Sequence, residues 1–408
     1  MLTRATQAAA IEAELAQRPL ARLTPIYFDL PRWLQGRQRG RSGEHLYYYL
    51  WQAAIYPVAR RLHRRVAFDI IHHVTFVKYW VPSFVCLMPA PFVWGPVGGG
   101  ESTPRQLLEA MTLRGRAFES ARSIARAVAS FDPFVRLTAR RSRVALATTA
   151  ETATRLRRLR ARRVEVCSQV GLSCEDFDAL GARQPRPDRP FTVISLGQLL
   201  HLKGFDLGLE AFARSGVDGQ YVVVGDGPER ERLRLLADQL GIADRVQFTG
   251  YVQRPEALRI LQNADVLVHP TLHDSGGWAP LEAMAAGKPV ICLDAGGSAE
   301  QVVPDCGVLV PPATPSVTVS RLTDAIQRLA ADPTLRDRMG AAGQARVRDH
   351  YLWPAKIDHI EHLYTTILEG SGNDDTRAER GFGWPLPPKN IRRGARQPSV
   401  SSWSTRPR

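Results

Sequence analysis

A chain of 408 residues exceeds one ordinary core, and its 44% hydrophobic and 23% charged content excludes a chain that is mostly disordered. Five cysteines with no C-x-x-C pair argue against a disulfide framework or a structural zinc site and fit a reducing cytoplasm. The net charge of +14 is uneven, with 27 Lys/Arg against 14 Asp/Glu in residues 1–180, 19 against 23 in 181–370 and 8 against 3 in 371–408, so the first half suits an anionic membrane surface, a phosphate-bearing substrate or plain arginine-rich solvation.

The opening "MLTRATQAAAIEAELAQRP" reads as a helix, and no segment there has the basic start, apolar run and small-residue cleavage site of a secretory signal. "AFDIIHHVTF", "APFVWGPVGGG" and "RVALATT" are the best strands of the first half, with "AETATRLRRLRAR" a helix after the last. Residues 79–100 are uncharged for long enough to span a bilayer, but Pro82, Pro89, Pro91, Pro96 and three closing glycines predict a buried strand with loops. His72 and His73 end a strand, either facing a ligand or supplying ordinary loop polarity. No helix-turn-helix, zinc-finger, RRM or KH signature is present, so nucleic acid is not an expected partner.

From "GARQPRPDRP", a Pro/Arg linker at 181–190, the organisation becomes regular. "FTVISLG" is a continuous apolar run of the kind that parallel strands buried on both faces show. "YVVVGDGPERERLRLLADQLGI" reads as strand, turn and amphipathic helix, followed by strands in "RVQFTGYV", "LQNADVLVHPT" and "GKPVICLDAGG". Alternating strands and helices predict a doubly wound parallel α/β domain, in which ligands sit beyond the carboxyl ends of the strands. "VLVHPTLHDSGGWAPLEAMAAG" then offers a polar loop, two glycines and a helix start marked by Pro280, a geometry suited to a diphosphate. Glu282 in that first turn either reaches ligand hydroxyls or complements the helix dipole. Lys203, in the loop entering another helix, is a phosphate-neutralising charge or a solvated lysine. Gly225 and Gly227 line a third strand-end loop but lack the G-x-G-x-x-G spacing, which disfavours NAD. Asp176-Phe177-Asp178 spells D-x-D but reads better as helix capping, and His359 and His362 lack H-E-x-x-H, so no metal is expected.

"GQLLHLKGFD", "VVVGDGPER", "VQFTGYV", "ADVLVHPTLHDSGGWAPLEAMAAGKPVI" and the closing "RMGAAGQARVRDHYLWPAKIDHIEHLYTTIL" together make residues 191–368 resemble the nucleotide-sugar-binding half of retaining group 1 glycosyltransferases. The resemblance implies the GT-B fold: α/β, two Rossmann-like doubly wound domains facing a cleft, at 1–180 and 181–350, a helix at 351–368 crossing back, and a disordered basic tail at 369–408. It implies transfer of a sugar from a nucleotide-diphosphate sugar to a glycan or lipid-linked acceptor in surface polysaccharide or glycolipid synthesis, at the inner face of the membrane, with no cofactor beyond the co-substrate. The family's E-x7-E element falls on Asp274 and Glu282, so Glu282 would hold the ribose and Asp274 would face the sugar. The backbone of Ser275, Gly276, Gly277 and Trp278 would cap the diphosphate, Lys203 would neutralise it, and the loop near Val252 would take the base. His72, His73, Gly98, Gly99 and Glu101 would line the acceptor side.

Two departures bear on this assignment. Gln198 stands where the family has an arginine, and Asp274 shortens the first glutamate by one methylene. The family's first apolar strand and glycine-rich loop have no counterpart in the opening helix, which implies an N-terminal truncation. Rival expectations are an impaired relative that binds donor without turnover, a nucleotide-sugar epimerase, and a nonenzymatic basic membrane-surface adaptor.

Overall fold

The computed structural model describes residues 1–31, 34, 41–74, 78–111, 113–182 and 189–370. Most of the linker reading and the expected disordered tail, beyond residue 370, lie outside the described residues.

In the first half, β1 (Leu2–Thr3) and β2 (Ile26–Tyr27) pair as a small parallel sheet beside the helix Ala8–Gln17. The main sheet is β3 (Ile71–His73), β4 (Phe92–Val97), β5 (Val144–Ala147) and β6 (Val164–Val166), parallel and in sequential order. The interior strands β4 and β5 are buried almost throughout, which accounts for their unbroken apolar sequences. The Arg41–Val66 helix packs Tyr47, Tyr48, Trp51 and Ile55 into an aromatic cluster with Val81.

In the second half, β7 (Phe191–Leu196), β8 (Gly219–Val224), β9 (Val246–Gly250), β10 (Val266–His269), β11 (Val290–Leu293) and β12 (Gly307–Val310) form one parallel sheet in the order β12-β11-β10-β7-β8-β9. The chain starts at the centre, steps outward through β8 and β9, then returns to lay β10 on the other side of β7. The chain therefore reverses direction between β7 and β10, the kind of switch point beside which ligands bind at the carboxyl edge of an open α/β sheet.

The two halves are tied in three places. Leu107 and Met111, from the segment after β4, are buried in the second domain's core cluster with Phe205, Leu207 and Leu272. The Trp353–Gly370 helix crosses back and buries Leu363 and Ile367 against Val93, Val144 and Leu146 of the first sheet. At the crossover, the Leu172 N–H donates to the Tyr351 carbonyl at 2.9 Å and the Trp353 N–H to the Leu172 carbonyl at 3.0 Å.

Candidate functional site at the strand crossover

Lys203 ends a short 3-10 turn, His201–Lys203, after β7, and the chain leaves it through Gly204 at φ 63°. A Cβ at Gly204 would lie 2.2 Å from the Pro270 carbonyl oxygen, so glycine is required for the β7 and β10 loops to touch. That contact brings Lys203 Nζ to 3.4 Å from Asp274 Oδ2. His269 Nε2 lies 3.6 Å from the same oxygen and 2.9 Å from Thr271 Oγ1. Burial alone would raise the Asp274 carboxyl, but the His269 hydrogen bond and the Lys203 charge outweigh it and hold it well below the usual carboxylate range. The other oxygen, Oδ1, is buried and has no protein partner, an uncommon state for a buried carboxylate oxygen outside a ligand site. Burial lowers the His269 pKa, so the imidazole is neutral beside this carboxylate.

The loop continues through Ser275 and Gly276, at φ 139°, to Gly277, which precedes the Trp278–Ala285 helix. It is braced from behind by the Gly296–Gln301 helix: the Gly297 N–H donates to the Asp274 carbonyl at 2.9 Å, and Gln301 Nε2 to the Gly277 carbonyl at 3.0 Å. Glu282, on the first turns of the Trp278–Ala285 helix, is buried and accepts from Arg254 Nε at 3.2 Å and Nη2 at 3.0 Å, both on Oε1. Arg254 also forks onto Asp176, with both bonds at 3.1 Å, and its guanidinium stacks 5.3 Å from the Trp278 ring centroid. Burial raises the Glu282 pKa and Arg254 only partly opposes it. The dipole-complement reading of Glu282 therefore gives way to a cation-held carboxylate at the mouth of the crevice, and Asp176 is a partner of Arg254 as well as a first-turn residue of its own helix.

Other predicted donor residues divide. Val252 sits half-buried after β9 against the core, and Gln198 is exposed at the end of β7. Gly225 and Gly227 pack tightly on the β7 loop: Cβ atoms there would lie 2.0 Å from the Gly197 carbonyl oxygen and 2.5 Å from that of Leu199. Their glycines serve the packing of the β8 loop on the β7 loop.

The residues expected on the acceptor side all have protein contacts. His72 donates from Nε2 to the Gly95 carbonyl at 2.6 Å, which leaves Nδ1 to accept from Tyr364 Oη at 2.6 Å. Burial lowers its pKa, and both ring nitrogens are used in fastening the last helix to the first sheet. His73 stacks on Tyr48 and meets its hydroxyl at 2.8 Å. The space over Gly98 is taken by Ser275 and Thr148, over Gly99 by Trp80 and over Gly100 by Thr152. Glu101 is fully buried, accepting from Thr149 and Thr152 Oγ1 at 2.7 Å each on one oxygen, and from the Gly99 N–H at 2.8 Å and Ser275 Oγ at 3.1 Å on the other. Gly98, Gly99 and Glu101 thus meet Ser275 of the second domain, while His73 and Gly100 are engaged within the first half.

Sequence reading missed a second interdomain cluster. Glu119, on the Leu113–Ala129 helix of the first half, is 3.0 Å from His273 Nε2, 3.9 Å from His201 Nε2 and 3.6 Å from Arg122 Nη1. Burial would raise its pKa, but the His273 hydrogen bond and the neighbouring positive charges outweigh it and hold Glu119 below its ordinary value. His201 and His273 lie two and one residues before Lys203 and Asp274, a neighbourhood that could have flagged them. On the opposite flank, Glu300 Oε1 accepts from the Ala150 N–H at 2.9 Å. Among the described residues no three His, Cys, Asp or Glu side chains are grouped to hold a metal ion, and no helix is long and apolar enough to cross a membrane.

A parallel two-domain α/β chain with a strand-crossover crevice against the first domain is the GT-B arrangement, and solved structures share it. HepE from Anabaena in complex with UDP superposes with a TM-score of 0.59 at 19% identity, covering 88% of this chain and 89% of that one. Residues 176–346 match the family model for glycosyl transferases group 1. A lipopolysaccharide core biosynthesis glycosyltransferase, LpsD of Rhizobium meliloti, is 34% identical over 44% of this chain and 50% of its own length. A 2-deoxystreptamine N-acetyl-D-glucosaminyltransferase of Streptomyces fradiae is 29% identical over 83% of this chain and 82% of its own. The match spans about half the length of the first of these relatives.

Proposed function

We propose that the chain is a retaining glycosyltransferase that moves a sugar from a nucleotide-diphosphate sugar to a glycan or lipid-linked acceptor, in cell-surface polysaccharide or glycolipid synthesis on the cytoplasmic side of the membrane. The observation that carries this reading is the buried, unpartnered Oδ1 of Asp274 beside Lys203 in the crossover crevice. A buried acceptor atom wants a donor, and the hydroxyls of a donor sugar supply one. Lys203 neutralises the departing diphosphate, together with backbone N–H groups at the Gly277–Trp278 helix start. Glu282, held by Arg254, receives the ribose hydroxyls. Closure of the first domain excludes water while the anomeric carbon passes through an oxocarbenium-like state. The lipopolysaccharide-core relative supports the acceptor class.

A second reading, donor binding without turnover, is favoured by exposed Gln198 in place of the family's arginine, which leaves the diphosphate one cation short. Nucleotide release from a panel of UDP-, GDP-, dTDP- and ADP-sugars, with and without oligosaccharide or lipid acceptors, tests both. Acceptor-dependent release supports transfer, whereas tight binding with no release under any acceptor supports the second reading.

A further inference from the structure

The Leu113–Ala129 helix is inside out. Its inward stripe, Glu119, Arg122 and Arg126, is polar and buried or half-buried, and it contacts His273 and the Glu101 carbonyl. Its outward stripe is apolar: Leu113, Ile124 and Val128 are 78%, 65% and 67% exposed. These positions repeat at helical spacing, so they share one face along roughly 22 Å of helix. Beyond the helix come Phe131, 73% exposed, and Phe134, 45% exposed, in the first turn of the Pro133–Arg141 helix that Asp132 caps. A globular surface normally scatters exposed large hydrophobics singly, and five within 22 residues, three of them on one helix face, mark a contact face.

The charge around the stripe identifies the occupant. Residues 113–141 hold seven arginines against two acids, and neither acid lies on the apolar face: Glu119 points inward, and Asp132 accepts from Tyr49 and the Phe134 and Val135 N–H groups. Arg116, Arg136 and Arg140 are exposed on the same two helices, and the Arg136 guanidinium sits 5.5 Å from the Phe131 ring centroid. An apolar helical stripe with aromatic residues at one end and arginines alongside suits an interface of acyl chains and anionic headgroups.

We infer that the outer face of residues 113–136, with Phe131 and Phe134, docks on an anionic bilayer surface. The inference deepens the proposed function by naming the surface on which a lipid-linked acceptor is met, and in that sense rests on it. The helix that docks also grips the β10 loop through Glu119 and His273, so docking sets the donor crevice about one helix diameter, ~10 Å, from the headgroups.

The test is cosedimentation of the full chain, without nucleotide, with phosphatidylcholine vesicles and with phosphatidylcholine–phosphatidylglycerol vesicles, at low and high salt. Three variants accompany it: Ile124→Glu with Phe131→Glu, Arg136→Gln with Arg140→Gln, and Leu235→Glu, an exposed leucine on the second domain, as the matched control. Circular dichroism and sedimentation velocity report folding and self-association. Expected results are salt-sensitive binding to the anionic vesicles, at least about tenfold weaker in the apolar variant, several-fold weaker in the arginine variant and unchanged in the control. Equal binding to both vesicle types, no binding to either, or an apolar variant that is folded and binds normally would overturn the inference. So would a self-associated wild type that the apolar variant renders monomeric with no vesicle binding, which assigns the face to a second copy. Donor calorimetry on the same variants separates the two proposals: intact donor binding with lost docking leaves the enzyme reading standing, and lost donor binding with intact docking does the reverse.

Discussion

Asp274 and Glu101 occupy comparable places in opposite domains, each a carboxylate in a glycine-bearing loop beyond a parallel strand. Their surroundings differ. Glu101 has both oxygens engaged by protein donors, and the spaces over Gly98, Gly99 and Gly100 are filled by side chains. Asp274 has one oxygen engaged by Lys203 and the other buried without a partner. A glycine and an acid at a strand end therefore do not by themselves make a site. What distinguishes the two is whether the protein itself completes the carboxylate's bonding, which it does for Glu101 and does not for Asp274.

The sharpest way to break this comparison is to remove each loop's key group and read activity and stability separately. Lys203→Ala lowers sugar transfer by about 10²- to 10³-fold through lost stabilisation of the diphosphate, with the chain still folded by circular dichroism. An unchanged rate in steady-state kinetics would remove Lys203 from the chemistry. Glu101→Ala does the converse: it strips partners from Thr149, Thr152, Ser275 and the Gly99 N–H, and destabilises the protein by about 3 kcal/mol in urea unfolding. A stable Glu101→Ala variant that had lost only acceptor affinity would restore the acceptor-side assignment.

The second-domain sheet was legible because parallel strands buried on both faces leave unbroken apolar runs, and strand–helix alternation fixes where the crossover falls. Lys203, Asp274 and Glu282 follow from that placement. The protein contacts of the first-domain residues were not legible, for a physical reason. The groups that fill the space over Gly99 and Gly100, Trp80 and Thr152, and the Tyr364 that holds His72, lie far along the chain and are joined only by folding. Arg254 was hidden in the same way, one arginine among many until the fold brings Asp176 and Glu282 to it.

Smaller effects sharpen the picture. Glu282→Ala weakens donor affinity by about tenfold in calorimetry, because a buried hydroxyl acceptor is lost and Arg254 keeps only Asp176. The Glu119 latch titrates. Its folded pKa is depressed, so its contribution to stability is present above the ordinary glutamate value near ~4.3 and is lost as pH falls through the lower folded value. Thermal unfolding from pH 7 down to pH 3 should therefore fall less steeply in Glu119→Gln than in the wild type, and parallel curves would discount the latch. Tyr364→Phe removes the hydroxyl that His72 accepts from and lowers stability by about 1 kcal/mol, with donor affinity unchanged.

The central claim, that the β7–β10 crossover is a donor site, is tested most directly by titrating the four nucleotide sugars into the wild type and Lys203→Ala side by side in a calorimeter. Saturable binding of one donor by the wild type and at least about a tenfold loss in the variant are expected. No binding of any donor by the folded wild type, or equal affinity in the two proteins, would contradict it.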